Sequence, residues 1–156
     1  MLRQVADVMA GPYTISFDHR HGELRVQVKG ESSMANTLAY WNEIAEWVAR
    51  YRPQSLLLVD ELTGTPLTAD EWMALVQAMD GKGFDALRIA HVKPNGLERV
   101  EFCEIFATEA GLDARVFTDV RVAELWLRHG ERRHLRQRGD DVADAQSARR
   151  RSDEKV

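Results

Sequence analysis

The first clear pattern along the chain is an alternation of apolar and polar residues in two neighbouring segments. Tyr13, Ile15 and Phe17 alternate with polar residues, and residues 24–29 repeat the pattern. A period of two is typical of a strand with one buried face. Gly22 lies between the segments and can adopt the positive φ that a tight hairpin turn requires. The pattern therefore predicts an antiparallel β-hairpin.

Apolar residues at helical spacing then alternate with short, continuous apolar runs. The helical stripes lie within residues 38–48, 72–79, about 97–110 and 122–126, and the apolar runs are Leu56–Val59, Leu87–Val92 and Ala114–Phe117. Continuous runs are typical of strands covered on both faces, as in a parallel sheet. The predicted order is β-β-α-β-α-β-α-β-α, an α/β fold with a mixed, mostly parallel five-stranded sheet and four helices.

The length of 156 residues indicates one domain, which we place at residues 12–130. Residues 1–11 are predicted to be a flexible N-terminus. Residues 131–156 mix many arginines with acidic residues and few apolar ones. Such a segment buries too little surface to offset the entropy of ordering, so we expect a charged, disordered tail.

Composition and charge exclude several classes of function. A net charge of -4 argues against general nucleic-acid binding, which needs a basic face. No apolar run approaches the roughly 18 residues of a membrane span, and Asp7 interrupts any signal-peptide pattern. Cys103 is the only cysteine, so no intrachain disulfide can form. We expect a cytoplasmic protein without stable membrane insertion, either a monomer or a homodimer.

Few residues suggest catalysis or metal binding. The sequence contains no GxGxxG, GxxxxGK[ST], GxSxG or HExxH motif. No Cys/His cluster is available for a metal, and no cofactor is expected. Cys103 with His91 would be the minimum for thiol catalysis. Its aromatic neighbours, Phe102 and Phe106, instead indicate a small buried core residue.

Acidic residues cluster where the second apolar run leads into a helix. Asp60 and Glu61 follow the run, and Thr68 with Glu71 forms a capping-box pattern. Ligands of open α/β sheets bind at the carboxyl ends of the strands, where His91 also lies. Each residue has a purely structural interpretation as well: Thr68 as a helix cap, and Asp60 as a hydrogen-bond acceptor for the loop backbone.

The first helix carries Met34, Leu38 and Trp41 at spacings that suit either the core or an apolar groove. Core packing is the simpler interpretation, as it is for Trp72 and Trp126 in their helical stripes. A hydrophobic ligand site on the first helix is the alternative.

Five segments together resemble the STAS (sulfate transporter and anti-sigma-factor antagonist) domains, particularly their SpoIIAA-like branch. The segments are Val26–Gly30, Leu56–Asp60, Leu67–Trp72, Arg88–Val92 and Arg115–Leu127, and the resemblance covers about residues 12–129. It implies a non-catalytic switch that binds a protein partner, with Thr68 at the position of a regulatory phosphorylation. Leu67 and Thr68 replace the usual Asp-Ser pair there. The branch is also similar to Sec14-type lipid carriers.

The leading hypothesis is a binding or regulatory module that acts through protein–protein contact. Its predicted contact or regulatory residues are Asp60, Glu61, Thr65, Thr68 and His91. The alternative is a carrier or sensor of a small apolar, lipid-like molecule at Met34, Leu38 and Trp41. A hydrolase that uses His91 with Asp60 or Glu61 is the third hypothesis, and no nucleophile or metal constellation accompanies it.

Overall fold

A computed structural model describes residues 4–10, 13–95 and 101–130. The strands are β1 (Gln4–Ala10), β2 (Tyr13–Arg20), β3 (Glu23–Glu31), β4 (Ser55–Thr63), β5 (Arg88–Val92) and β6 (Asp113–Phe117). The helices are α1 (Met34–Tyr51), α2 (Ala69–Ala78), α3 (Glu101–Glu109) and α4 (Val120–His129), and a short 3-10 helix spans Phe84–Ala86.

The strands form one mixed sheet in which each strand pairs with the next in the sequence, from β1 to β6. The pairs β1–β2 and β2–β3 are antiparallel, and the pairs from β3 to β6 are parallel. Gly22 lies in the β2–β3 turn with a φ of +78°. The predicted hairpin, α/β class and mostly parallel sheet are confirmed.

Strand β1 corrects the prediction of a flexible segment at the N-terminus. Residues 4–10 pair in continuous register with β2, from Gln4 opposite His19 to Ala10 opposite Tyr13. As an edge strand, β1 is held by main-chain hydrogen bonds to one neighbouring strand only. The predicted tail at 131–156 and the first residues of the third predicted helix, 97–100, lie outside the described residues.

The helices cover the two faces of the sheet unequally. Leu56 and Leu58 of β4 point into the main core beneath α1, α2 and α3, whereas Leu57 and Val59 point to the opposite face beneath α4. Right-handed crossovers that always step in the same direction place every connecting helix on one face. Only α4, which follows the last strand, is free to cover the other face.

Three helix starts are fixed by side-chain caps, each of which follows the carboxyl end of a parallel strand. Ser33 caps α1 by accepting a hydrogen bond from the Asn36 N–H, and Asp119 caps α4 through the Arg121 N–H. Thr68 caps α2. The starts of α1 and α2 therefore lie at one edge of the sheet, beside the ends of β3 and β4.

A buried arginine ties α4 to the sheet. The Arg88 guanidinium lies 4.1 Å from the ring centroid of Trp126, and its Nη1 donates to the Gly130 carbonyl at the end of α4. Arg88 Nε is 3.5 Å from Asp113 Oδ2, and both side chains are buried. A second arginine, Arg25, binds Glu124 of α4 at 2.9 Å but is largely solvent-exposed.

The two arginines should differ sharply in their contribution to stability. Arg88→Met leaves the Asp113 carboxylate buried without its cation, which should lower the free energy of unfolding by about 3–5 kcal/mol. Arg25→Met removes an exposed pair and should cost less than about 1 kcal/mol. Urea unfolding of both variants measures the difference. Equal losses of unfolding free energy in the two variants would contradict the interpretation that buried Arg88 ties α4 to the sheet.

Candidate functional site

The carboxyl ends of β3, β4 and β5 surround a pocket of about 200 Å³ at the edge where α1 and α2 begin. Its lining combines hydroxyl, amide, charged and apolar groups, from Ser32, Thr37, Asp60, Leu62, Thr63, Gly64, Pro66, Leu67, Trp72, Lys93 and Asn95. Open α/β sheets bind their ligands at this edge. We call this space the carboxyl-edge pocket.

Asp60 forms the floor of the pocket and is only 2% exposed. Its Oδ1 accepts hydrogen bonds from the Leu62 N–H at 3.0 Å and from Lys93 Nζ at 3.3 Å. Its Oδ2 lies 2.9 Å from His91 Nε2. The predicted hydrogen bond from Asp60 to the loop backbone is confirmed.

The environment of Asp60 favours its charged form. Burial opposes ionisation, but the His91 hydrogen bond and charge, the Lys93 ammonium and the Leu62 N–H outweigh it and hold the pKa of Asp60 below its ordinary value. The same charge, added to burial, raises the pKa of the neighbouring Tyr40 hydroxyl. The carboxylate is therefore a fixed negative charge inside the protein.

His91 connects the Asp60 carboxylate to Cys103 of α3. Its ring packs against Trp41 at 6.3 Å and Trp72 at 5.9 Å, both in T-shaped geometry. Its Nδ1 lies 3.7 Å from the Cys103 sulfur. An ionised carboxylate only accepts, so Nε2 carries a hydrogen and donates to Asp60. We call these three residues the Asp60–His91–Cys103 chain.

The thiol at the end of the chain is held in its protonated form. Burial, followed by the negative charges of Asp60 and Glu104, raises the pKa of Cys103 to about 12. The Cys103 sulfur lies within hydrogen-bond reach of His91 Nδ1, which places the thiol at the end of the Asp60–His91–Cys103 chain. A nucleophilic cysteine needs the thiolate, which this environment disfavours. The three residue types are those of a catalytic triad. The charges around Cys103, however, favour the thiol and not the thiolate that nucleophilic catalysis requires.

The predicted contact residues fall into three groups. Asp60 and His91 are each 2% exposed, so they offer almost no surface to a partner and mainly position other residues. Glu61 points to the other face of β4, where it binds Gln27 at 3.0 Å and Lys29 at 3.5 Å. Thr65 and Thr68 are exposed beside the pocket.

Thr68 acts as the cap that its sequence pattern predicts. Its hydroxyl accepts from the Glu71 N–H at 3.2 Å, and the Glu71 carboxylate accepts from the Thr68 N–H at 3.0 Å. The capping box is confirmed. A phosphate on Thr68 would displace this arrangement and lie against the carboxylate of Glu71, which disfavours it electrostatically.

The predicted apolar ligand residues do not form one site. Met34 and Leu38 are partly buried and pack against the main core. Trp41 is 6% exposed, and it lines a cavity of about 40 Å³ between α2 and α3 whose lining residues do not include Met34 or Leu38. Two of the three residues predicted to line a groove on the first helix, Met34 and Leu38, therefore pack against the core instead.

Three contributors to the site were missed by sequence reasoning: Lys93, Trp72 as a neighbour of His91, and Tyr40. The period of two that places His91 beside Asp60 also places Lys93 on the same side of β5, so the sequence held a signal for it. Trp72 and Tyr40 reach the Asp60–His91–Cys103 chain because α1 and α2 pack on the sheet. The sequence carries no local signal for that packing.

The described residues contain no group of three or more His, Cys, Asp or Glu side chains placed to hold a metal ion. None of the described helices is both long and apolar enough to cross a bilayer. No protein-family model matches the sequence, and no curated protein matches it. The resemblance to STAS domains stays a prediction.

The charge of Asp60 should make stability depend on pH. Its pKa is lower folded than unfolded, so its contribution is complete above the unfolded value, about 3.9, and is lost as pH falls toward the folded value. Asp60→Asn removes the pairing and should cost about 3–5 kcal/mol near pH 7.

Urea unfolding at several pH values tests this expectation. The gap between wild type and Asp60→Asn should narrow below about pH 4. Asp70→Asn, an exposed control in the first turn of α2, should cost at most about 1 kcal/mol. A gap for Asp60→Asn that stays constant down to pH 3 would show that its carboxylate is not stabilised by its partners.

Cys103 should react slowly with alkylating reagents in the folded protein. A pKa of about 12 leaves about a thousandfold less thiolate at pH 8 than an ordinary cysteine has. Iodoacetamide labelling followed by mass spectrometry should therefore be about a thousandfold slower in buffer than in 8 M urea. Comparable rates in both solvents would mean that the thiol is activated, and would revive a catalytic role.

Proposed function

We propose that this protein is a non-catalytic binding module that recognises a protein partner at its carboxyl-edge pocket. The observation that carries the proposal is the size and placement of that pocket. Its volume of about 200 Å³ is below the roughly 300–1,000 Å³ of pockets that enclose small-molecule ligands. It suits one inserted side chain of a partner whose remaining surface rests on the pocket rim.

The rim is an exposed loop on a rigid base. Thr63, Gly64 and Thr65 are exposed, and Asn95 faces them from the end of β5. We call these four residues with Pro66 and Thr68 the carboxyl-edge surface. Loops held by a rigid scaffold are where binding residues concentrate.

The rim of the pocket rests on a backbone segment that buried hydrogen bonds hold in place. Asp60 holds the Leu62 N–H, and Lys93 Nζ donates to the Leu62 carbonyl at 3.0 Å. The Ser32 N–H also donates to the Thr63 carbonyl at 2.7 Å, which ties the end of β3 to the loop. A preordered surface loses less entropy when it binds.

The charges of the pocket favour a polar, uncharged anchor from the partner. Asp60 and Lys93 neutralise each other at 3.3 Å, and three groups already occupy the carboxylate. The wall hydroxyls of Ser32 and Thr63 can donate or accept. A buried, unpaired charge from the partner would have no counter-charge there and would be costly.

The resemblance to STAS domains supports the same interpretation, since it implies a partner-binding switch centred on the segment before α2. The protonated thiol supports a non-catalytic role. A cytoplasmic location and a monomeric or homodimeric state belong to the same proposal.

The test is affinity capture with matched surface variants. Thr65→Arg adds a large charged side chain to the carboxyl-edge surface, whereas Thr14→Arg adds it to an exposed position of β2. A protein captured by wild type should be retained by Thr14→Arg and bound at least tenfold more weakly by Thr65→Arg, as measured by calorimetry with the purified partner.

Both variants change exposed threonines, so their folding can be verified by circular dichroism before capture. Equal affinity of Thr65→Arg and wild type for every purified partner would overturn the proposed surface. Equal loss in both variants would place the contact elsewhere on the sheet.

A further inference from the structure

A small apolar cavity lies between α2 and α3, on the side of His91 opposite Asp60. Its volume is about 40 Å³, and its walls include Trp41, Leu75, Ala107 and Val116. One acidic and one basic residue, Glu104 and Arg115, also line it, and their charges offset each other. His91 and Cys103 form its inner end, where their hydrogen-bonding groups already bind each other. A polar group gains no partner at this end, so the cavity favours an apolar one.

The cavity adjoins a larger groove at the solvent side. The groove has a volume of about 390 Å³, and Val76, Met79, Phe84 and Leu112 line both spaces. Gly81 and Gly83 form part of the groove with φ angles of +74° and +94°. The shared lining residues place the cavity and the groove side by side.

The groove carries negative charge. Asp80 and Asp85 line it, and both are exposed. None of the residues that line the groove is basic. The charge repels an anionic head group and attracts a cationic one, with an energy that solvent screening limits.

We propose that the cavity and groove form a binding site for a short-chain alkylammonium ligand. The alkyl end enters the cavity against His91 and Cys103, and the ammonium head lies in the groove beside Asp80 and Asp85. Cavity and groove together reach the lower part of the size range of small-molecule pockets. The inference goes beyond the proposed partner binding, and its site shares no lining residue with the carboxyl-edge pocket.

The test titrates n-butylammonium, butyrate and methylammonium into ¹⁵N-labelled protein and follows the amide resonances. Butylammonium should shift the amides of Ala107 and Phe84 saturably, with a Kd in the millimolar range. Butyrate has the tail with the wrong charge, and methylammonium has the charge without the tail. Each should bind at least tenfold more weakly.

Two kinds of variant separate the roles of tail and head. Ala107→Val places two additional carbons at the cavity wall and should abolish saturable binding, whereas Ala39→Val makes the same change on the exposed face of α1 and should leave it unchanged. Asp80→Asn with Asp85→Asn should weaken butylammonium about fivefold.

Equal binding of butyrate and butylammonium would overturn the inference, and so would the absence of saturable shifts with butylammonium. The Asp80 and Asp85 changes are on the surface, so this arm stays decisive even where Ala107→Val does not fold. No partner protein takes part in the titration, so its outcome is independent of the proposed partner binding.

Discussion

Burying the carboxylate of Asp60 costs several kcal/mol of lost hydration unless other groups replace the water. The replacement comes from the Leu62 N–H, the Lys93 ammonium and the His91 ring, at 3.0, 3.3 and 2.9 Å. Leu62 lies near the carboxyl end of β4, His91 lies in β5, and Lys93 directly follows β5. The charge therefore stabilises both the pairing of β4 with β5 at their carboxyl ends and the path of the chain that leaves β4.

The Asp60–His91–Cys103 chain also separates two environments. On one side lies the carboxyl-edge pocket with its hydroxyl and amide walls, and on the other lies the apolar cavity beneath α2 and α3. His91 faces the cavity while its Nε2 holds the floor of the pocket. Because both nitrogens of this buried histidine are bonded, its own ring leaves no polar atom unsatisfied between the two environments.

Much of the fold could be predicted because the relevant signals are local. Period-two alternation identified the β2–β3 hairpin, continuous apolar runs identified the parallel strands, and the spacing of Thr68 and Glu71 identified the cap of α2. Strand β1 was missed because main-chain pairing to β2 holds it and its own pattern is weak. The placement of α4 alone on one face was not predicted either, since it depends on the direction of successive crossovers.

The site was less predictable, because its contacts join residues far apart in the sequence. Asp60 and His91 are 31 residues apart, and both were named, but as surface groups. Their burial follows from the α2 and α1 tryptophans that close over them. Cys103 was interpreted correctly as a packed residue. Its bond to His91 requires the distance between α3 and β5, which no sequence spacing specifies.

The sheet order has a consequence for how the chain folds. Every strand pairs with its neighbour in sequence, so no pairing waits for a distant segment to be synthesised or to diffuse into place. Each parallel pairing closes a loop of one crossover helix and its connections, and the entropy cost of closing a loop grows only slowly with its length. We expect assembly to begin at the β2–β3 hairpin and to proceed outward, one strand at a time. The domain could then form progressively as it leaves the ribosome, with α4 closing the second face last.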